Sequence, residues 1–157
     1  MESNCRSIAK AAAGALMILG ATVLCGWMAD SPALKSILPA WVTMKANTAA
    51  AFFLSGVALW FIGSDRPLGR TISRTCGALV TLIGALTAAQ YLAGVNLGID
   101  QILFREMAGS VGTSAPGRMA PNTAACFFLA GAARLFLSLR AGSTRPVFVA
   151  ACLSLMG

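Results

Sequence analysis

The sequence predicts an all-α integral membrane protein: a polytopic helix bundle built from a parallel duplicated two-helix unit. Three observations carry that expectation. The chain has 157 residues, of which 57% are hydrophobic and only 11% charged, and its mean hydropathy is +0.77. A soluble domain carries roughly 25% charged residues, so this chain lacks the polar surface to cover a core in water. Its apolar residues gather in runs of spanning length, and one 18-residue stretch occurs twice.

The elements follow in order. A helix needs about 17–25 apolar residues to cross the hydrocarbon core. Runs of that kind cover residues 11–29, 46–63, 76–95 and 122–139. The first is too long for the apolar region of a signal peptide and no A-x-A site follows it, so it is read as a retained span. A fifth run begins after Pro146 and reaches Gly157, too short to cross. The expectation is four complete spans and a truncated fifth.

The repeat defines the units. Met44–Phe61 returns as Met119–Phe136, 75 residues on, with 11 of 18 positions identical. Asn-Thr at the head and Phe-Phe-Leu in the middle are not products of hydrophobicity alone, and repeats of this kind mark a duplicated structural unit. Upstream, Gly14-Ala15-Leu16 and Ile18-Leu19-Gly20 echo Gly77-Ala78-Leu79 and Leu82-Ile83-Gly84, and Ile37-Leu38 matches Ile102-Leu103. Residues 1–75 then form a first unit, 76–145 a second, and 146–157 the start of a third. Each unit is a helix out, a loop, and an Asn-Thr helix back.

Basic residues set the orientation. Arg6, Lys10, Arg66, Arg70, Arg74, Arg134, Arg140 and Arg145 fall on one side, against Lys35, Lys45, Arg105 and Arg118 on the other. The bias of eight to four places the N-terminus in the cytoplasm and the 30–45 and 96–120 loops outside. Both units then point the same way, with a pseudo-axis along the membrane normal, unlike the inverted repeats of many ion-coupled carriers. The lipid bilayer is the solvent and first partner. The charge of +7 does not imply nucleic acid, because the basic residues sit in short segments between apolar runs and not on a solvated face.

In the second outer loop, Leu97, Ile99, Ile102, Leu103 and Met107 fall mostly on one helical face, with Asp100, Gln101, Arg105 and Glu106 around it. That pattern predicts an interfacial helix with its apolar face down, followed by a flexible connector over 109–117. Small residues are expected at helix contacts: Ala85, Ala89 and Ala93 on the third span, Gly56 and Gly131 on the returning helices.

The residues offer little catalytic chemistry. There is no His, and the cysteines Cys5, Cys25, Cys76, Cys126 and Cys152 form no CxxC or metal-ligand spacing. No catalytic residue, metal or cofactor is expected. The candidate ligand-binding residues are Asn47, Thr48, Asn122 and Thr123, joined by Gln90, Tyr91 and Asp100 at the same outer mouth. Two readings of the Asn-Thr pairs stand. They start helices, for which Asn and a Pro like Pro121 are well suited, or they face each other across the pseudo-axis as a polar site. Trp27, in the place of Tyr91, reads as an interfacial anchor. Arg134, in the place of Leu59, is expected to snorkel toward the cytoplasm.

Gly98-Ile99-Asp100-Gln101-Ile102-Leu103-Phe104, and the run from Gly117 through Asn122-Thr123 to Phe128, resemble the N-terminal multi-helix membrane sensor region of proteobacterial signalling proteins. Those regions are joined to PAS domains, histidine kinases of two-component systems or diguanylate cyclases. The resemblance implies a sensory input role in the bacterial inner (plasma) membrane, a homodimer, and a cytoplasmic signalling module in the same chain beyond residue 157. It supplies no ligand and no residue role. The alternative classes are a small transporter or channel subunit, and a scaffold without a ligand.

Overall fold

The computed structural model describes residues 2–36, 43–106 and 115–140. These are helical, with no strand among the described residues: α1 (Glu2–Met28), α2 (Pro32–Lys35), α3 (Ala46–Trp60), α4 (Pro67–Ala93), a 3-10 turn (Ile99–Gln101) and α5 (Pro121–Arg140). The Ile37-Leu38 element, Met107, the connector up to Ser114, and the run after Pro146 lie outside the described residues.

Two helices, Asn4–Met28 and Pro67–Ala93, are long and apolar enough to cross a membrane. Both run well beyond their apolar stretches. α4 begins at Pro67 rather than Cys76, because proline at the first helical position gives up only an N–H that has no intrahelical acceptor. α3 is shorter than its apolar run. At 1.5 Å per residue its 15 residues cover about 22 Å, against a hydrocarbon core of about 30 Å. The chain leaves the helix at Phe61 (φ −90°, ψ 9°) and turns through Gly63. α1 ends in a left-handed residue, Asp30 (φ 49°), and the Ser31 N–H donates to the Gly26 carbonyl at 2.9 Å, the helix-ending motif that satisfies a free carbonyl.

α1 packs on α3, α4 packs on α5, and α3 against α4 joins the two pairs. Glycine, not the alanine stripe, lets the backbones approach. A Cβ at Gly20 would lie 2.6 Å from the Ala49 carbonyl oxygen and 2.7 Å from the Phe53 nitrogen. At Gly84 it would lie 2.7 Å from the Ala124 carbonyl oxygen and 2.5 Å from the Phe128 nitrogen. The partners are the same positions of the repeated motif. Gly56 likewise meets Ala13 and Met17, and Gly131 meets Gly77 and Thr81. Ala89 and Ala93, expected at a contact, are exposed. α4 turns Gly84, Thr87 and Gln90 inward instead, three-residue steps on one helical face.

The core between the pairs holds Ala51, Val80, Met119, Ala124 and Phe127, with Phe52, Leu54, Ile83 and Ala88 against it. At the end carrying Arg66, Arg134 Nη2 donates to the Ala58 carbonyl and the Ser73 hydroxyl. Ser73 Oγ also donates to that carbonyl at 2.8 Å. Ala58 lies in the last turn of α3, where carbonyls lack helical donors. A cation at that terminus also opposes the negative end of the helix dipole.

Candidate functional site

The opposite end, which carries the long connectors, gathers most of the buried polar side chains. Its hub is the 3-10 turn. Gly98 (φ 71°) enters the turn in a left-handed conformation that ends any continuing helix. Asp100 is carried inward to 4% exposure while Leu97, Ile102 and Leu103 stay exposed. The expected interfacial helix is therefore not formed among the described residues, where only Ile99–Gln101 is helical, as a 3-10 turn. The physical reason is electrostatic: Asp100 Oδ2 accepts from Arg118 Nε at 2.7 Å and Oδ1 from Gln90 Nε2 at 3.2 Å. A buried carboxylate needs such partners, and these come from α4 and from the lead into α5.

Gln90 is fully buried and spends both ends of its amide. Its Oε1 accepts from the Leu97 N–H at 2.8 Å and from Arg118 Nη2 at 3.1 Å. Arg118 also lies over the Tyr91 ring, 5.5 Å from its centroid, and the Tyr91 hydroxyl donates to the Met119 carbonyl at 2.9 Å. Gln90, Tyr91 and Asp100 thus come together. Arg118, which binds all three, has no sequence signature beyond its charge in the outer loop.

The Asn-Thr pairs separate. Asn47 and Thr48 are buried, each 8% exposed, and Asn47 Nδ2 donates to the Ile99 carbonyl at 3.1 Å. Asn122 is exposed and Thr123 half-buried; Asn122 Oδ1 accepts the Thr123 N–H at 2.9 Å. The two asparagines therefore do not face each other across an axis. Each is the second residue of its helix, after Ala46 or Pro121, so neither is an N-cap. Asn47 is covered because the turn Ile99–Gln101 folds over it. Asn122 instead satisfies one of the N–H groups that a helix start leaves free.

A second ion pair ties the connectors together. Lys45 Nζ meets Glu106 Oε1 at 2.5 Å, with the two side chains 5% and 6% exposed, and Gly117 N–H donates to Glu106 Oε2 at 2.6 Å. Gly117 (φ 74°) sits so close that a Cβ there would lie 2.4 Å from the Asp100 carbonyl oxygen. Neither Lys45 nor Glu106 carries a sequence motif that marks it as a binding residue. The available signal was position, since Lys45 directly precedes α3 and Arg118 lies three residues ahead of α5.

Trp27 is more than an anchor. Its Nε1 donates to the Met44 carbonyl at 2.9 Å, and its ring packs against Phe104 at 5.8 Å. Lys35 Nζ lies 4.5 Å from the Trp27 ring centroid and 2.5 Å from Asp30 Oδ1. That ammonium holds the exposed Asp30 carboxyl below its ordinary range. Trp27–Met44 and Tyr91–Met119 are corresponding bonds, because Met44 and Met119 both open the repeated motif.

Among the described residues no group of three or more His, Cys, Asp or Glu is placed to hold a metal ion. The arrangement offers tight mechanical linkage: one turn bonded to the start of α3, the end of α4 and the lead into α5. No family model, curated protein or solved structure matches this chain.

Proposed function

We propose that this chain is a membrane-embedded sensory input domain of a bacterial signal-transduction protein. In this reading it is a polytopic bundle in the inner membrane, with the N-terminus in the cytoplasm and the connector end in the periplasm. The two helix pairs are copies of one unit, supported by the corresponding glycine contacts and the corresponding Trp27 and Tyr91 bonds. A periplasmic or membrane cue acts at the connector end, and helix packing carries the shift to a cytoplasmic module beyond residue 157, within a homodimer.

One observation carries the reading. The turn Ile99–Gln101 is bonded at once to α3, to α4 and to the lead into α5, through Ile99 to Asn47 and through Asp100 to Gln90 and Arg118. A ligand that prefers one position of that turn changes the packing of α3, α4 and α5 together, and differential affinity is what shifts a conformational equilibrium. The Arg134 link between α5, α4 and the end of α3 lies at the opposite end, where such a shift would have to emerge.

The reading frame after Gly157 provides the first test. A PAS, kinase or cyclase sequence there supports the sensor; a stop codon after one further helix sinks it. In the full protein, Asn47→Ala is expected to change output without loss of the protein from the membrane. Single-cysteine variants at Ser31 and Ser64, in a background without the native cysteines, test orientation. An impermeant thiol reagent applied to spheroplasts should label the first and spare the second.

A further inference from the structure

A cleft of about 350 Å³ opens beside the hub turn, lined by Asn96, Gly98, Asp100, Gln101, Arg105 and Pro116. We propose that it binds a small monocarboxylate bearing further hydrogen-bond acceptors, such as a hydroxy acid. This ligand class rests on the sensory reading given above and specifies what enters that site.

The lining is rich in donors. Arg105 is exposed and belongs to none of the three ion pairs among the described residues, Asp30–Lys35, Lys45–Glu106 and Asp100–Arg118. Its planar fork matches a carboxylate through two parallel hydrogen bonds. Asn96 Oδ1 is engaged by the Gly98 N–H at 3.0 Å, which leaves its NH2 group as the end available to a ligand. The Gln101 side chain offers a second amide. Asp100, the one acid of the lining, has one carboxylate oxygen turned to Gln90 and the other to Arg118. Its charge is therefore compensated within the protein. One uncommitted cation with neutral amide donors suits a monoanion better than a phosphate dianion.

Size and position agree with this. At about 30 Å³ per water the cleft holds on the order of a dozen waters, the scale of a small metabolite. Gln101 and Asp100 belong to the turn that Asn47, Gln90 and Arg118 hold. Closure of Arg105 and Gln101 on a carboxylate pulls on that turn directly.

The test uses the 157-residue chain in phosphatidylcholine nanodiscs, with lactate as the probe. Trp27 packs on Phe104, the neighbour of Arg105, so its emission reports on the cleft once Trp41 and Trp60 are replaced by Phe. Lactate should produce a saturable change, confirmed by calorimetry. Arg105→Gln should weaken binding at least tenfold, equivalent to about 1.4 kcal/mol, with Arg105→Lys intermediate and an unchanged thermal transition in both. Failure of lactate to saturate, or equal affinity in Arg105→Gln, overturns the proposal. Saturation by inorganic phosphate but not lactate also overturns it, as does a response only in phosphatidylglycerol vesicles, which would make the cleft a lipid headgroup site. Binding is read without any output module. Lactate binding lost in Arg105→Gln, combined with full-length output indifferent to lactate, would leave the site standing and remove the sensory reading.

Discussion

Phe52 and Phe127 occupy the same place in the two copies of the repeated motif, and they meet edge to face with ring centroids 5.1 Å apart and planes at 77°. The two returning helices therefore touch through their aromatic middles and not through their asparagine heads. Edge-to-face pairs contribute about 0.5–1.5 kcal/mol beyond the area they bury. A double-mutant cycle with Phe52→Leu and Phe127→Leu, read by unfolding in mixed micelles, should return a coupling energy in that range. A coupling of zero would mean that the rings merely fill space.

The glycine contacts predict a contrast within one residue type. Gly20→Ala and Gly84→Ala place a methyl group 2.6 Å and 2.5 Å from backbone atoms of the facing helix. Overpacking of this kind costs about 1–3 kcal/mol, and thermal melting in detergent should fall accordingly for both. Gly14 has nothing within 4 Å of its would-be Cβ, so Gly14→Ala should be neutral or stabilise by up to about 1 kcal/mol through helix propensity.

Asp100 and Arg118 are a buried pair, 4% and 9% exposed at their side chains. Removing one partner leaves a buried charge uncompensated, at a cost of about 3–5 kcal/mol. Asp100→Asn and Arg118→Met should each approach that figure in equilibrium unfolding. The double variant should lose less than the sum, since neither charge is then stranded. Hydrogen exchange at Leu97 and Gly117, whose N–H groups are held by Gln90 and Glu106, should quicken in the single variants.

The two asparagines should answer unequally. Asn47→Ala removes a buried donor from the Ile99 carbonyl, a loss of about 0.5–1.5 kcal/mol for the bond. Asn122→Ala changes an exposed residue and should stay within about 0.5 kcal/mol. Equal losses in a stability assay would contradict the placement of Asn47 beneath the turn.

The helical class and the recurrence of the motif were legible in the sequence because hydropathy and self-similarity are local properties. The helix starts were less so: α1 and α4 run into polar residues that no apolar window includes, and α3 ends sooner than its apolar run. Glycine was foreseen at Gly56 and Gly131, yet the alanine row on α4 drew equal notice. The close approach of α4 to α5 falls at Gly84, against Ala124 and Phe128, while Ala89 is exposed.

The candidate site divides in the same way. By itself the sequence determined that Gln90, Tyr91, Asp100 and the Asn-Thr pairs belong to one end of the bundle, since each lies where a helix meets a long connector. Tertiary structure alone decided that Asp100 turns inward, that Asn47 is covered while Asn122 is not, and that Lys45, Glu106 and Arg118 do the binding. The reason is that a charge is assigned its partner by folding across 18 residues for Asp100 and Arg118, and 61 for Lys45 and Glu106. A periodicity read along one helix carries no information about which distant carboxylate will need that cation.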